Sequence, residues 1–282
     1  MLRGNQIAEL LFRHDTPTYI AAQLREFNAF LKLDGIPSRG YQELQGYAPT
    51  PQVTDEMDRE KGLWDLVFCS MQDLGRGFHT NGRTPNPYGP ILLILEPNWL
   101  RGLSDVEIAL LSGGNKKFDR SQHGLPPGRF EELFLEPEST KPEVASRLLL
   151  QSRFGEEVAV SNPEISAYLP EGKIAWSHVR RALVDPYTLG STDLVEECRT
   201  LVKSHKLGFT VDARPIPDKR VFSELAQAVA SGCTSSLELS RYRWQAPELQ
   251  GWANSLHTSP WAYQADRWTD YLRTGTLQVM GD

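Results

Sequence analysis

Residues 14–39 read HDTPTYIAAQLREFNAFLKLDGIPSR, and the architecture expected of the chain starts from this stretch. Between Ile20 and Leu33 the apolar positions Ile20, Leu24, Phe27, Phe30, Leu31 and Leu33 recur every three to four residues, which predicts an amphipathic helix. Gly35 stops it, because glycine takes up the left-handed backbone that closes helices at little steric cost. Ile36-Pro37-Ser38-Arg39 then leads away as an extended exit. Ahead of the helix, His14-Asp15-Thr16 sets an imidazole, a carboxylate and a hydroxyl side by side, and the same residue types equally suit a cap on the helix that follows.

Outward from this core, residues 5–12 fit either a short helix or a first strand. Two loops rich in Gly, Pro and polar residues, from about Tyr41 to Asp58 and from Gly75 to Gly89, flank an expected strand at Leu63–Ser70. Connections beyond about 12–15 residues are usually lids or binding segments. Pro90–Leu95 is nearly all aliphatic and reads as a strand buried on both faces. Residues 112–142 look loop-like around a turn of helix at Phe130–Phe134. A helix at Pro142–Leu150 follows, then a strand at Glu156–Val160, and Ile174–Leu183 reads as a strand passing into a short helix. Leu194–Phe222 begins helical and turns polar. Beyond Phe222 come helices carrying Trp244, Trp252, Trp261 and Trp268, tryptophans whose spacing suits a packed helical core better than a base-stacking surface. The expected fold class is α+β, with a domain over residues 1–212 and a helical, Trp-rich subdomain over 213–282.

Composition narrows the function. The chain has 282 residues, 40% of them hydrophobic and 23% charged, ordinary for a folded protein. Its longest aliphatic run, Ile91–Leu95, is far below the roughly 20 residues that cross a bilayer, and the opening residues lack the apolar stretch of a secretory signal, so a cytoplasmic protein is expected. Cys69, Cys198 and Cys233 show no metal-ligand spacing and read as reduced thiols without a metal. A net charge of −6 gives no general attraction to nucleic acid. Such a partner must meet local cations, of which Arg76, Arg83, Lys116, Lys117 and Arg120 stand in the long loops.

Three features taken in order resemble the ADP-ribosyltransferase-like superfamily, most of all its DarT-type enzymes, which modify DNA bases. The first is His14-Asp15-Thr16 followed by Asn28 through Arg39, similar to a strand ending in an HxT motif before a helix of the form N-x-x-x-I-L-x-x-G-I-x-S-R. The second is Val67-Phe68-Cys69-Ser70, a strand ending in a hydroxyl residue before a long loop. The third is Glu156-Glu157-Val158-Ala159-Val160, an acid-headed late strand. The resemblance implies a split-sheet core that takes NAD as substrate and passes ADP-ribose to a macromolecular acceptor, nucleic acid or protein, with a toxin-like role. It implies Glu157 as the catalytic residue, and His14, Thr16, Asn28, Arg39 and Ser70 as NAD contacts. Breaking the nicotinamide–ribose bond passes through an oxocarbenium-like sugar, for which a nearby carboxylate is needed. The match departs from the family in the residues inserted after Thr16 and in the unmatched C-terminal third.

Each residue also has a plainer reading. Asn28 and Arg39 suit a helix face and a solvated charge, Ser70 a turn, and the Glu156-Glu157 pair a charged strand edge. Rival functions are an NAD glycohydrolase, which differs only in admitting water, and a non-catalytic module binding nucleic acid or protein. A metal nuclease is a third, but Asp65, Asp73, Glu96 and Glu157 lack its spacing.

Overall fold

A computed structural model describes residues 3–50, 54–73, 88–138, 140, 143–155, 163–186, 188–189, 192–215, 224–225, 227–228, 231–256 and 269. In chain order the elements are α1 (Arg3–Arg13), β1 (Thr18–Ala22), α2 (Leu24–Lys32), β2 (Ile36–Pro37), α3 (Arg39–Leu44), α4 (Asp55–Glu60), β3 (Leu66–Ser70), β4 (Ile91–Leu95), β5 (Val106–Ala109) and α5 (Arg120–His123). They continue with α6 (Arg147–Phe154), β6 (Glu164–Tyr168), β7 (Lys173–Ile174), β8 (Val179–Val184), β9 (Thr188–Leu189), β10 (Thr192–Asp193), α7 (Leu194–Ser204), β11 (Thr210–Ala213), α8 (Ser236–Arg241) and α9 (Pro247–Leu256). The fold is mixed α+β, as expected, with a mostly antiparallel main sheet. Among the described residues no helix is long and apolar enough to cross a membrane.

Several expected boundaries move, for local reasons. The helix read from Ile20 starts only at Leu24. Thr18-Tyr19-Ile20, β-branched and aromatic, extends instead as β1. The Glu26 carboxylate accepts the Gln23 N–H at 3.1 Å and caps the first turn of α2. The left-handed turn that closes the helix falls on Asp34, at φ 54°, one residue before the expected Gly35; the Gly35 N–H bonds the Phe30 carbonyl at 3.1 Å, and a Cβ at Gly35, φ +152°, would meet the Ile174 carbonyl at 2.7 Å. Residues 5–12 resolve as part of α1, and the loop expected from Tyr41 to Asp58 contains α3 and part of α4. The helix expected at Pro142–Leu150 begins at Arg147, where the Ser146 side chain accepts the Leu149 N–H. Ile174–Leu183 is strand on both sides of a 3-10 turn at Trp176–His178, with no longer helix. The expected strand at Glu156–Val160 lies outside the described residues, and β6 follows at Glu164.

Two compact units divide the chain. The first comprises residues 1–20, 29–73 and 93–181. In it β1, β3, β6 and β5 are neighbours in that order and antiparallel, with Tyr19 opposite Ser70, Ser70 opposite Glu164 and Glu164 opposite Ala109. Because side chains alternate between faces, Val67, Cys69, Val106, Ile108, Ile165 and Ala167 share one face, and all are buried. Thr18 lies on that side too, accepting the Trp99 Nε1–H at 3.0 Å. The opposite face carries Phe68, Ser70, Ala109, Glu164 and Ser166. Over its Leu66, Phe68 and Ala109 end, Leu63, Leu111 and Phe118 form a small second core. α1 buries Ile7, Ala8, Leu10 and Leu11, a stripe at helical spacing, and its Gly4 sits where a Cβ would be 2.0 Å from the Leu100 carbonyl.

The second unit comprises residues 21–28, 74–92 and 182–282. In the main sheet β11 neighbours β8 and β8 neighbours β4, and β4 is buried at all five positions, as its aliphatic run predicts. The Asp193 carboxylate caps α7 by accepting the Glu196 N–H, and the Arg199 Nε–H donates to the Val211 carbonyl on β11. A buried ion pair, Arg214 Nε to Asp185 Oδ1 at 3.1 Å, joins the ends of β11 and β8. Trp244 is 7% exposed, donates Nε1–H to the Leu239 carbonyl, and shares a core with Leu249 and Ala253 of α9. For this tryptophan the core reading holds; Trp261 and Trp268, and the side chain of Trp252, lie outside the described residues.

Candidate functional site

On the sheet face of the first unit that is not closed by the main core, the second core ends at the row Tyr19, Ser70, Glu164, Ala109. Glu164, half-buried, heads β6. Its carboxylate accepts two hydrogen bonds from one turn, the Ser112 hydroxyl at 3.1 Å and the Gly113 N–H at 3.2 Å. Burial pushes its pKa up, the two donors oppose that rise, and the negative charge of Asp58 adds to it. Asp58 on α4 is raised as well, first by burial, while the Thr54 hydroxyl at 2.9 Å and the charges of Arg39 and Lys61 pull it down. Tyr19 is raised by burial and by Asp73, against Arg181 and Arg180. Titratable groups displaced from their ordinary values mark a candidate for chemistry.

Of the residues expected from sequence, Ser70 stands within this row, directly opposite Glu164. Arg39 opens α3 behind the Ser38 cap, pairs with Asp55 at 3.0 Å, donates to the Thr50 carbonyl and lies 5.0 Å from the Trp64 ring, with its charge reaching Asp58. His14 and Thr16 do not end a strand as the motif requires; they wrap the C-terminus of α1 and precede β1. The Thr16 N–H bonds the Leu11 carbonyl at 2.8 Å across Asp15, whose φ of 45° makes the turn. The His14 ring is fully buried, stacked on Phe134 at 3.6 Å, with Nε2 3.0 Å from the Glu131 carboxylate. Thr16 is buried and donates to the His14 carbonyl. Neither caps α2, since α2 begins eight residues beyond Thr16, at Leu24. Asn28 lies on α2 in the second unit, its side-chain amide donating to the Leu24 carbonyl of its own helix. Glu157 lies outside the described residues.

Glu164, Ser112 and Asp58 were not singled out by sequence. Pro163-Glu164-Ile165-Ser166-Ala167 carries a signal, an acid heading a short alternation of apolar and polar residues, but the more β-branched Glu157-Val158-Ala159-Val160 outweighs it. Among the loop cations, Arg120 binds Glu107 at 2.6 Å and pairs with Asp105, while Arg76 and Arg83 lie outside the described residues. No group of three or more potential metal ligands occurs among the described residues. All three cysteines are free and buried, and burial raises each thiol, Cys198 to about 12.

No protein-family model matches the chain, and no curated protein does. Among solved structures it is similar to Thermus sp. 2.9 DarT in complex with ADP-ribosylated ssDNA, at 11% sequence identity and a TM-score of 0.42, over 70% of this chain and 92% of that one. A likeness at this level assigns no family.

Proposed function

We propose that the chain is an ADP-ribosyltransferase that cleaves the nicotinamide–ribose bond of NAD and passes ADP-ribose to a macromolecular acceptor. The observation that carries this reading is Glu164, a carboxylate held by two donors at the head of a strand, on the polar end of a sheet face and beside Ser70. Its chemistry suits the reaction. A carboxylate there can accept a ribose hydroxyl and stabilise the positive charge that grows on the sugar as nicotinamide departs, the role carboxylates play in glycoside cleavage. Ser70, in the position the sequence resemblance gives to a nicotinamide contact, and Tyr19 beside it would line the same end of the face. Arg39, tied to Asp55, would act through the field it sets on Asp58 more than by direct contact.

Glu164 takes the role that the resemblance implies for Glu157, and the two are separable. Nicotinamide release from NAD labelled in the adenylate half, with DNA, RNA or protein offered as acceptor, tests the reaction and its target together. Glu164→Gln should abolish release while Glu157→Gln keeps it; the reverse result returns the role to Glu157. Release without label on any acceptor would make the protein an NAD glycohydrolase, and no release from the wild-type chain would end the reading.

A further inference from the structure

Glu164 does not find its two donors by chance of packing. The turn that supplies them is tied down by several contacts. Asn115 N–H closes it onto the Ser112 carbonyl at 2.9 Å, and Lys61 Nζ reaches from beyond α4 to the Asn115 carbonyl at 2.6 Å. A Cβ at Gly114 would be 3.1 Å from Thr54 Cγ2, and one at Gly113 would be 3.4 Å from Leu63 and Phe68, so the turn is pressed against α4 on one side and the second core on the other. At its base the chain is zipped by Leu110 N–H to His123 O and Leu125 N–H to Ile108 O, both 2.8 Å. Arg120 adds its bond to Glu107, and Arg3 donates to the Leu125 carbonyl at 2.8 Å.

We propose that Ser112 is a positioning residue for Glu164, the turn around it being built to present one hydroxyl and one backbone N–H to that carboxylate and hold it in the orientation its reaction needs. The inference rests on the reading of Glu164 as the reacting carboxylate. A turn already held in place loses little entropy when it meets the carboxylate, so both donors favour its charged form. The Gly113 N–H cannot be removed by a side-chain change, which leaves the Ser112 hydroxyl as the adjustable donor. Ser112 is half-exposed.

Among the described residues, the neighbouring elements bring these charged and titratable groups towards Glu164. α4 and its flank bring Asp58 and Lys61, with Arg39 behind them; β1 and the end of β3 bring Tyr19 and Asp73; β5 brings Glu107, held by Arg3 and Arg120. Ser112→Ala leaves all of these in place. Its effect on Glu164 is therefore that of one lost donor, which favours the protonated form.

The test is the titration of the Glu164 side-chain carboxyl, followed by NMR on protein labelled with 13C-glutamate and assigned by the resonance missing in Glu164→Gln. Ser112→Ala should move that titration upward by roughly one pH unit, tenfold in proton affinity, and should move the acidic limb of nicotinamide release upward by the same amount. Ser112→Thr, which keeps the hydroxyl, should restore both. An unmoved titration in Ser112→Ala, or a lower melting temperature with no change in either limb, overturns the proposal. The titration also separates this inference from the proposed function: a shifted carboxyl in a protein that never releases nicotinamide would refute the transferase reading and leave only the Ser112 hydroxyl's hold on the Glu164 charge, whereas an unshifted carboxyl in a protein that does release it would refute the positioning role alone.

Discussion

Glu164→Gln is expected to make the protein more stable and catalytically dead at once, and both effects can be worked from the site. The ionised carboxylate accepts two hydrogen bonds, from Ser112 and Gly113. Bonds to a charged acceptor contribute about 1.5–3 kcal/mol and neutral ones about 0.5–1.5; glutamine has a single acceptor oxygen, which can face the Gly113 N–H while its NH2 donates to Ser112 Oγ, so each contact survives in a neutral form about 1 kcal/mol weaker. Against that loss stands the cost of burying the charge beside Asp58. The upward displacement of the Glu164 pKa shows that this cost outweighs what the two donors return. The sign follows from linkage: a carboxyl raised in the folded state holds its proton there more tightly than in the unfolded chain. Its contribution to stability therefore falls as pH rises from the ordinary carboxylate range through the raised value, and stays low above it. Glutamine does not titrate. The variant should gain on wild type across that window and stay ahead at pH 7, while nicotinamide release falls by about 10²–10⁴-fold, equivalent to about 2.7–5.5 kcal/mol of lost transition-state stabilisation. Urea melts at a series of pH values, paired with the release assay, measure both. A variant less stable than wild type at neutral pH, with an unchanged pH slope, would refute the reasoning about burial.

Four further outcomes follow from packing and charge. His14→Ala removes a fully buried ring from Phe134 and Glu131 and should cost about 3–5 kcal/mol, the range for truncating buried rings, while NAD affinity by calorimetry is unchanged; weaker NAD binding at an unchanged melting temperature would instead restore its expected ribose contact. Arg214→Met strands the buried Asp185 and should cost about 3–5 kcal/mol, read by denaturant titration, with part of the loss returned when Asp185→Asn is added. Gly4→Ala meets the Leu100 carbonyl and should destabilise by about 1–3 kcal/mol. Gly251→Ala, on α9 with nothing within 4 Å of the added Cβ, should stabilise by up to about 1 kcal/mol, and a thermal melt of the pair checks both signs.

What sequence alone determined about this protein is what depends on neighbours along the chain. The apolar period between Ile20 and Leu33 marked α2, Asp34-Gly35 ended it, and five aliphatic residues in a row made β4 a strand buried on both faces. Ser70 could be placed at a strand end because Val67, Phe68 and Cys69 precede it. The tertiary structure decided which residues meet across the sheet. Ser70 and Glu164 are 94 positions apart, and Ser112 reaches the same carboxylate from a loop that reads as polar punctuation; no local period encodes a contact made by antiparallel register. The same holds in reverse for His14, whose residue type and neighbours fit a motif, yet whose ring is claimed by Phe134 and Glu131 more than a hundred residues away. Local sequence fixes the direction of the backbone, and long-range packing decides which polar side chains are consumed in holding the fold and which are brought together across the sheet.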